Sequence, residues 1–134
     1  MTTTPQVDYF EEEATSVAIA GGGGTGTLDL TLSAMAVGRG IVRIHELVFD
    51  SDSVDFDVQI FEDVARTRLN RVVNVETIST HTVQILGGGR GMQYEDRDIT
   101  PVTGQLIVYL SLTNNDVGAE TITVRVRYLP FFAR

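Results

Sequence analysis

The chain contains no cysteine, no lysine and no tryptophan, and each absence removes a class of function. Without cysteine there are no disulfides, no thiol nucleophile and no thiolate metal site. Without tryptophan, an exposed aromatic platform for sugars would have to rest on four scattered tyrosines. With lysine missing, all ten basic residues are arginine. A GC-rich genome is the simplest origin of that bias. Salt adaptation, or arginine retained for bidentate pairing at interfaces, are the functional alternatives. Basic charge is scarce as well: 10 arginines face 18 acids, for a net charge of −8. That excludes the cationic surface a sequence-independent nucleic-acid binder needs to release counterions. No apolar run is long enough to cross a bilayer, and the opening MTTTPQVDYFEEE has neither the basic region nor the apolar core of a signal peptide. Neither nucleic acid nor membrane is an expected partner.

What remains is enough for a folded domain. At 134 residues and 43% hydrophobic content, one core can form without covalent staples. Period-two alternation dominates the chain. Leu106, Val108, Leu110 and Leu112 share one face. Ile122, Val124, Val126 and Tyr128 share another, against Thr121, Thr123, Arg125 and Arg127. A turn-rich break holding Asn114, Asn115, Asp116 and Gly118 separates the two runs, which predicts a pair of antiparallel strands. Similar short runs occur at Ser16–Ala20, Thr27–Leu32, Ile41–Phe49, Val54–Phe61 and Thr80–Leu86. About seven or eight strands with turns between them predict an all-β antiparallel sandwich of jelly-roll type. Phe56, Val58, Ile60, Leu110, Val124 and Val126 are its expected core. Between Val64 and Glu76 the spacing of Ala65, Leu69, Val72 and Val73 is helical, which predicts one or two helical turns or a long loop. Residues 1–13, with three threonines, Pro5 and the triplet Glu11, Glu12, Glu13, read as an N-terminal arm that contacts another chain. Residues 14–134 form the single domain.

Few groupings carry chemistry. Gly21, Gly23 and Gly26 formally fit a dinucleotide fingerprint, yet a strand rather than a helix follows, so an inter-strand loop is expected. Asp50, Asp52, Asp55 and Asp57 fail the EF-hand template, and Asp55 and Asp57 fall on a wet strand face. Asp50 and Asp52, with Glu95, Asp96 or Asp98, are candidate ligands for a hard cation, against the simpler reading as solvated turn acids. His45 and His81 have no partner at ligand spacing and sit in strand-like runs. No nucleophile elbow is present, so no catalytic residue and no cofactor is expected. Arg66, Arg68 and Arg71 form a basic cluster. Ion pairing with Glu62, Asp63 and Glu76 is the structural expectation, and docking on an acidic surface such as the Glu11–Glu13 arm of a neighbouring copy is the functional one. Phe131 and Phe132 follow Pro130 beyond the last strand, as a core lid or a subunit contact.

The segments VDFDVQIFED, MQYEDRDITP and QLIVYLSLTNNDVGAETITVRVRY resemble small β-sandwich domains of structural proteins in tailed bacteriophages. The matching positions are Phe56 to Glu62, Tyr94 to Asp98, Leu106 to Asn114 and Thr121 to Tyr128. The resemblance implies a virion component assembled in the host cytoplasm. A capsid decoration (cement) protein that binds and stabilises the capsid lattice comes first, with a tail or fibre module as the alternative. The major capsid protein or other virion proteins would be its partners, and a homo-oligomer, a trimer in particular, its expected state. A carbohydrate-binding module is the reading from another class.

Overall fold

A computed structural model describes residues 10–34, 38, 40–50, 55–76, 82–85, 91–100 and 104–129. Nine strands occur among them: β1 (Phe10–Thr15), β2 (Gly24–Thr31), β3 (Ile41–Asp50), β4 (Asp55–Phe61), β5 (Leu69–Glu76), β6 (Thr82–Ile85), β7 (Met92–Glu95), β8 (Ile107–Asn114) and β9 (Thr123–Leu129). They form two antiparallel sheets. One runs β1-β9-β3-β6, with β7 also on β3, and the other β2-β8-β4-β5. Strands β7 and β6 take successive halves of one edge of β3, pairing with Ile41–Ile44 and with Glu46–Phe49. Counted as one interrupted strand, they reduce the set to eight. First then pairs with last, second with seventh, third with sixth and fourth with fifth. That nesting is a long hairpin folded over on itself, which is a jelly roll.

Alternation explains the burial. Phe56, Val58, Ile60, Leu110, Val124 and Val126 are all fully buried, as expected. They meet Val42, Ile44, Leu47, Phe49, Val108, Leu112 and Tyr128 between the sheets. In β3 the buried positions change parity, from Val42 and Ile44 to Leu47 and Phe49. A bulge between Ile44 and Glu46 absorbs the extra residue, His45, and keeps both halves of the strand facing the core.

Three expectations are corrected. Strands β8 and β9 do not pair with each other; β8 lies between β2 and β4, and β9 between β1 and β3. The break between them is an arch from one sheet to the other. Its length lets the two apolar faces meet across the core rather than side by side. The segment from Leu69 is strand β5 and not helical, because Val73 and Val75 enter the core while a register shift opposite Ile60 and Phe61 adds a residue and blurs the alternation. Finally, Phe10–Glu13 belong to the sheet, as the first four of the six residues of β1, in register with Tyr128–Arg125. The arm therefore cannot extend to residue 13, and residues 1–9 lie outside the described residues.

Candidate interaction surfaces

The outer face of the first sheet is an ion-pair ladder. Alternation turns Glu11 and Glu13 outward on β1, opposite Arg127 and Arg125 on β9. Arg127 Nε lies 2.6 Å from Glu11 Oε1, and its Nη1 lies 2.8 Å from Glu46 Oε2. These two carboxylates raise the pKa of Arg127, with the Glu46 hydrogen bond the larger cause. Arg125 Nη2 is 3.0 Å from Glu13 Oε2 and 3.8 Å from Asp50 Oδ2. Single exposed pairs of this kind stabilise little. Shared between strands, they keep the edge strand β1 in register. Glu12 points the other way. Its Oε2 accepts from Ser33 N and Oγ at 2.6 Å each, and from the Tyr128 hydroxyl at 3.4 Å. The acidic triplet thus serves its own chain. Glu11, Glu12, Glu13 and Arg125 line a shallow open depression with none of the apolar lining of a ligand pocket.

The arginine cluster is divided by the β4–β5 loop. Asp63 accepts from Thr67 Oγ1 at 2.5 Å, Arg68 N at 2.9 Å and Thr67 N at 3.0 Å. The Thr67 hydroxyl, then the Arg68 amide, hold its carboxyl below the usual range. This knot leaves Arg66 at φ 57, a left-handed position that turns its side chain back over the second sheet. Arg66 Nη2 reaches Asp29 Oδ1 at 2.5 Å, Nε donates to Leu110 O at 3.1 Å, and the guanidinium lies 5.8 Å from the Tyr109 ring centre. Its partner is Asp29 on β2, not the expected Glu62, Asp63 or Glu76. Arg68 and Arg71 stay exposed and form no ion pair among the described residues. Beside them Val64, Leu69 and Val72 are 56%, 52% and 50% exposed.

At the opposite end the β8–β9 arch is tightly held. Asn114 is fully buried, and its Nδ2 donates to Ile19 O and Gly118 O, both at 2.9 Å. Its Oδ1 accepts from Asp116 N at 2.9 Å. Gly22 and Gly23, at φ 70 and 93, turn the β1–β2 connection so that their amides donate to Asp116 O and Asn114 O. The glycine fingerprint is therefore an inter-strand turn against this arch. Val117 stands at the tip, 98% exposed.

The remaining candidates serve the fold. Asp96 is buried and accepts from Asp98 N at 3.0 Å and Ile107 N at 2.9 Å, while Asp98 accepts from Val64 N at 2.6 Å. Glu95 is salt-bridged to Arg97 at 3.3 Å. No group of three or more potential metal-binding side chains converges among the described residues, and Asp52 lies outside them. Asp57 sits on the wet face, beside Asn74 and 3.1 Å from Asn115 Nδ2. Burial and the neighbouring Arg43 lower the pKa of His45. His81, Phe131 and Phe132 lie outside the described residues. Sequence alone missed Arg125, Arg127, Asp29 and Val117 as surface determinants, and Asn114 as the buried tie of the arch. Only the two arginines carried a signal, through their alternation with Val124 and Val126.

No protein-family model matches this chain, and no curated protein does. Among solved structures it is similar to a chain from work titled "Bacillus endospore appendages form a novel family of disulfide-linked pili", at TM-score 0.39 and 8% identity, with 98% of each chain covered. It is also similar to a chain of infectious bursal disease virus, Gt strain, at TM-score 0.25 and 11% identity, spanning 93% of this chain and 39% of that one. At such distances no residue and no role carries over from either.

Proposed function

We propose that this chain is a non-enzymatic structural protein of a virion, a decoration protein that binds the capsid lattice and bridges its subunits. The observation that carries this reading is how the polar groups are spent. Acids and arginines that would make a site are committed to register, caps and loop knots, while Val64, Leu69, Val72 and Val117 are left outside. Such a surface suits binding by contact area rather than by a pocket. The resemblance of Phe56 to Glu62, Tyr94 to Asp98, Leu106 to Asn114 and Thr121 to Tyr128 to tailed-phage β-sandwich domains supplies the setting. The partner is the major capsid protein. Residues 1–9 and Phe131–Phe132 add contact area at the margins.

The test is co-sedimentation of the purified chain with capsid shells that lack it, followed by cryo-electron imaging of the pellet. Saturable binding with density on the shell is the expected result. Failure to bind shells, or density on the tail alone, would overturn the decoration role. Hydrolytic activity that survives purification and is lost on replacing one histidine would overturn the non-enzymatic one.

A further inference from the structure

We infer that two copies of this chain join edge to edge through β5, antiparallel and about a two-fold axis at Val73, so that their two second sheets become one continuous sheet. Strand order leaves four edges: β1, β2, β5, and β6 with β7. Three of them are closed to a neighbour. β1 and β2 lie against each other, and Glu12 of β1 accepts from Ser33 just past the end of β2. β6 and β7 are four residues each, a short and interrupted edge. β5 runs for eight residues, Leu69–Glu76, with neither proline nor glycine, and Arg71 is the one charged residue from Leu69 to Val75. Short length, proline and repeated charge are the devices that protect an edge, and β5 has little of any.

The open stretch of β5 has a definite centre. Near its start the strand is held by its own chain: Asn70 Nδ2 donates to Glu62 Oε2 at 3.1 Å and to Gln93 O at 3.5 Å. From Arg71 to Val75 no described strand lies beyond β5, so main-chain groups that point away from β4 have no described strand to pair with. Val73 is the middle residue of that stretch. A two-fold axis through it sets Val73 against Val73, Val72 against Asn74 and Arg71 against Val75, each residue on the same face as its opposite. Val72 is 50% and Val73 8% exposed in the single chain, and the pairing covers both. The two Arg71 side chains start about 14 Å apart, so like charges are not opposed. Main-chain bonds need only a second open edge of matching length. Among the described strands, β5 of another copy is the one that offers it. Charge does not select this partner, because copies at −8 repel. The contact is isologous and closes at two. It is independent of the decoration role.

Sedimentation velocity over a range of protein concentration gives the stoichiometry, with circular dichroism to confirm that each variant is folded. The parent chain should pass from monomer to dimer and no further. Raising salt from about 0.01 M to about 1 M should strengthen the dimer about tenfold, because the Debye length falls from about 30 Å to about 3 Å and the repulsion is screened. Crosslinking tests the register, since the chain has no cysteine of its own. Val72 and Asn74 are exposed, so Val72→Cys and Asn74→Cys should both fold. Under mild oxidation a mixture of the two variants should form a disulfide-linked dimer and neither variant alone should, because Val72 stands opposite Asn74 and not opposite itself. A parent chain that stays monomeric at every concentration would overturn the inference. So would a mixture that fails to crosslink, or a single variant that crosslinks as well as the mixture. Amide protection at Arg71–Val75 gained only on capsid shells would assign the edge to a shell strand and overturn the second copy.

Discussion

Arg66, in the β4–β5 loop, and Asp29, on β2, are joined at 2.5 Å across the outer face of the second sheet, although β8 lies between β2 and β4. The guanidinium spans β8 by donating to Leu110 O on the way, and so clamps the β4–β5 loop to the far edge strand. Arg66→Ala should destabilise the fold by about 1–3 kcal/mol through the lost charge-assisted bonds. Arg66→Gly should cost about 1 kcal/mol less than Arg66→Ala, because glycine accepts φ 57 without strain. Urea unfolding of the three chains measures both differences; equal losses in the two variants would show that the left-handed backbone is not a source of strain.

Tyr94 is a rivet between the sheets. Its hydroxyl lies 2.7 Å from Phe61 O and 2.8 Å from Ile107 O, donating to one at a time, and accepts from Tyr109 N at 3.4 Å. Tyr94→Phe keeps the ring packing and leaves these buried groups short of a partner. A loss of about 1–2 kcal/mol is expected in chemical denaturation. No change in midpoint would mean that water replaces the hydroxyl.

Truncation separates the arm from the strand. Deleting residues 1–9 should leave the melting temperature of the domain nearly unchanged. Deletion through Thr15 should lower it steeply, because it removes β1 from β9 and strips the Glu12 contacts with Ser33 and Tyr128. Calorimetry of both truncations checks this. A tolerated loss of β1 would return the acidic triplet to the arm.

Alkaline pH should unfold the protein through its tyrosines. Burial pushes Tyr128 up to about 12, and raises Tyr94 and Tyr109 further, with the Asp96 charge adding to the burial of Tyr109. The fold favours the neutral phenol, so this stabilisation is complete below the ordinary tyrosine value near 10 and is lost as pH rises through the folded values. Absorbance of phenolate should therefore show three of the four tyrosines ionising only together with the loss of far-ultraviolet dichroism. Three independent titrations near pH 10 with the sheet intact would contradict their burial.

Much of the core was legible because alternation is a local property. Phe56, Val58 and Ile60 point inward whatever strand lies beside them. The same period could not say which sheet β8 and β9 enter, since an apolar face is equally satisfied by a neighbour or by the opposite layer. The helical spacing of Ala65, Leu69, Val72 and Val73 misled because a single inserted residue in an edge strand shifts its phase. Glu11, Glu12 and Glu13 read as solvated tail for a similar reason. Acidic composition suggests disorder, but cross-strand arginines 112 to 116 residues away turn it into an edge.

Sequence alone determined the class of fold, the buried faces and the exclusion of thiol chemistry, because propensity, patterning and composition act over a few residues. Tertiary structure decided the nested pairing of first strand with last, the union of Arg66 with Asp29, and the docking of the glycine turn against the β8–β9 arch. Those depend on how the long hairpin folds over, and contacts between residues distant in the chain leave no period for a sequence to display.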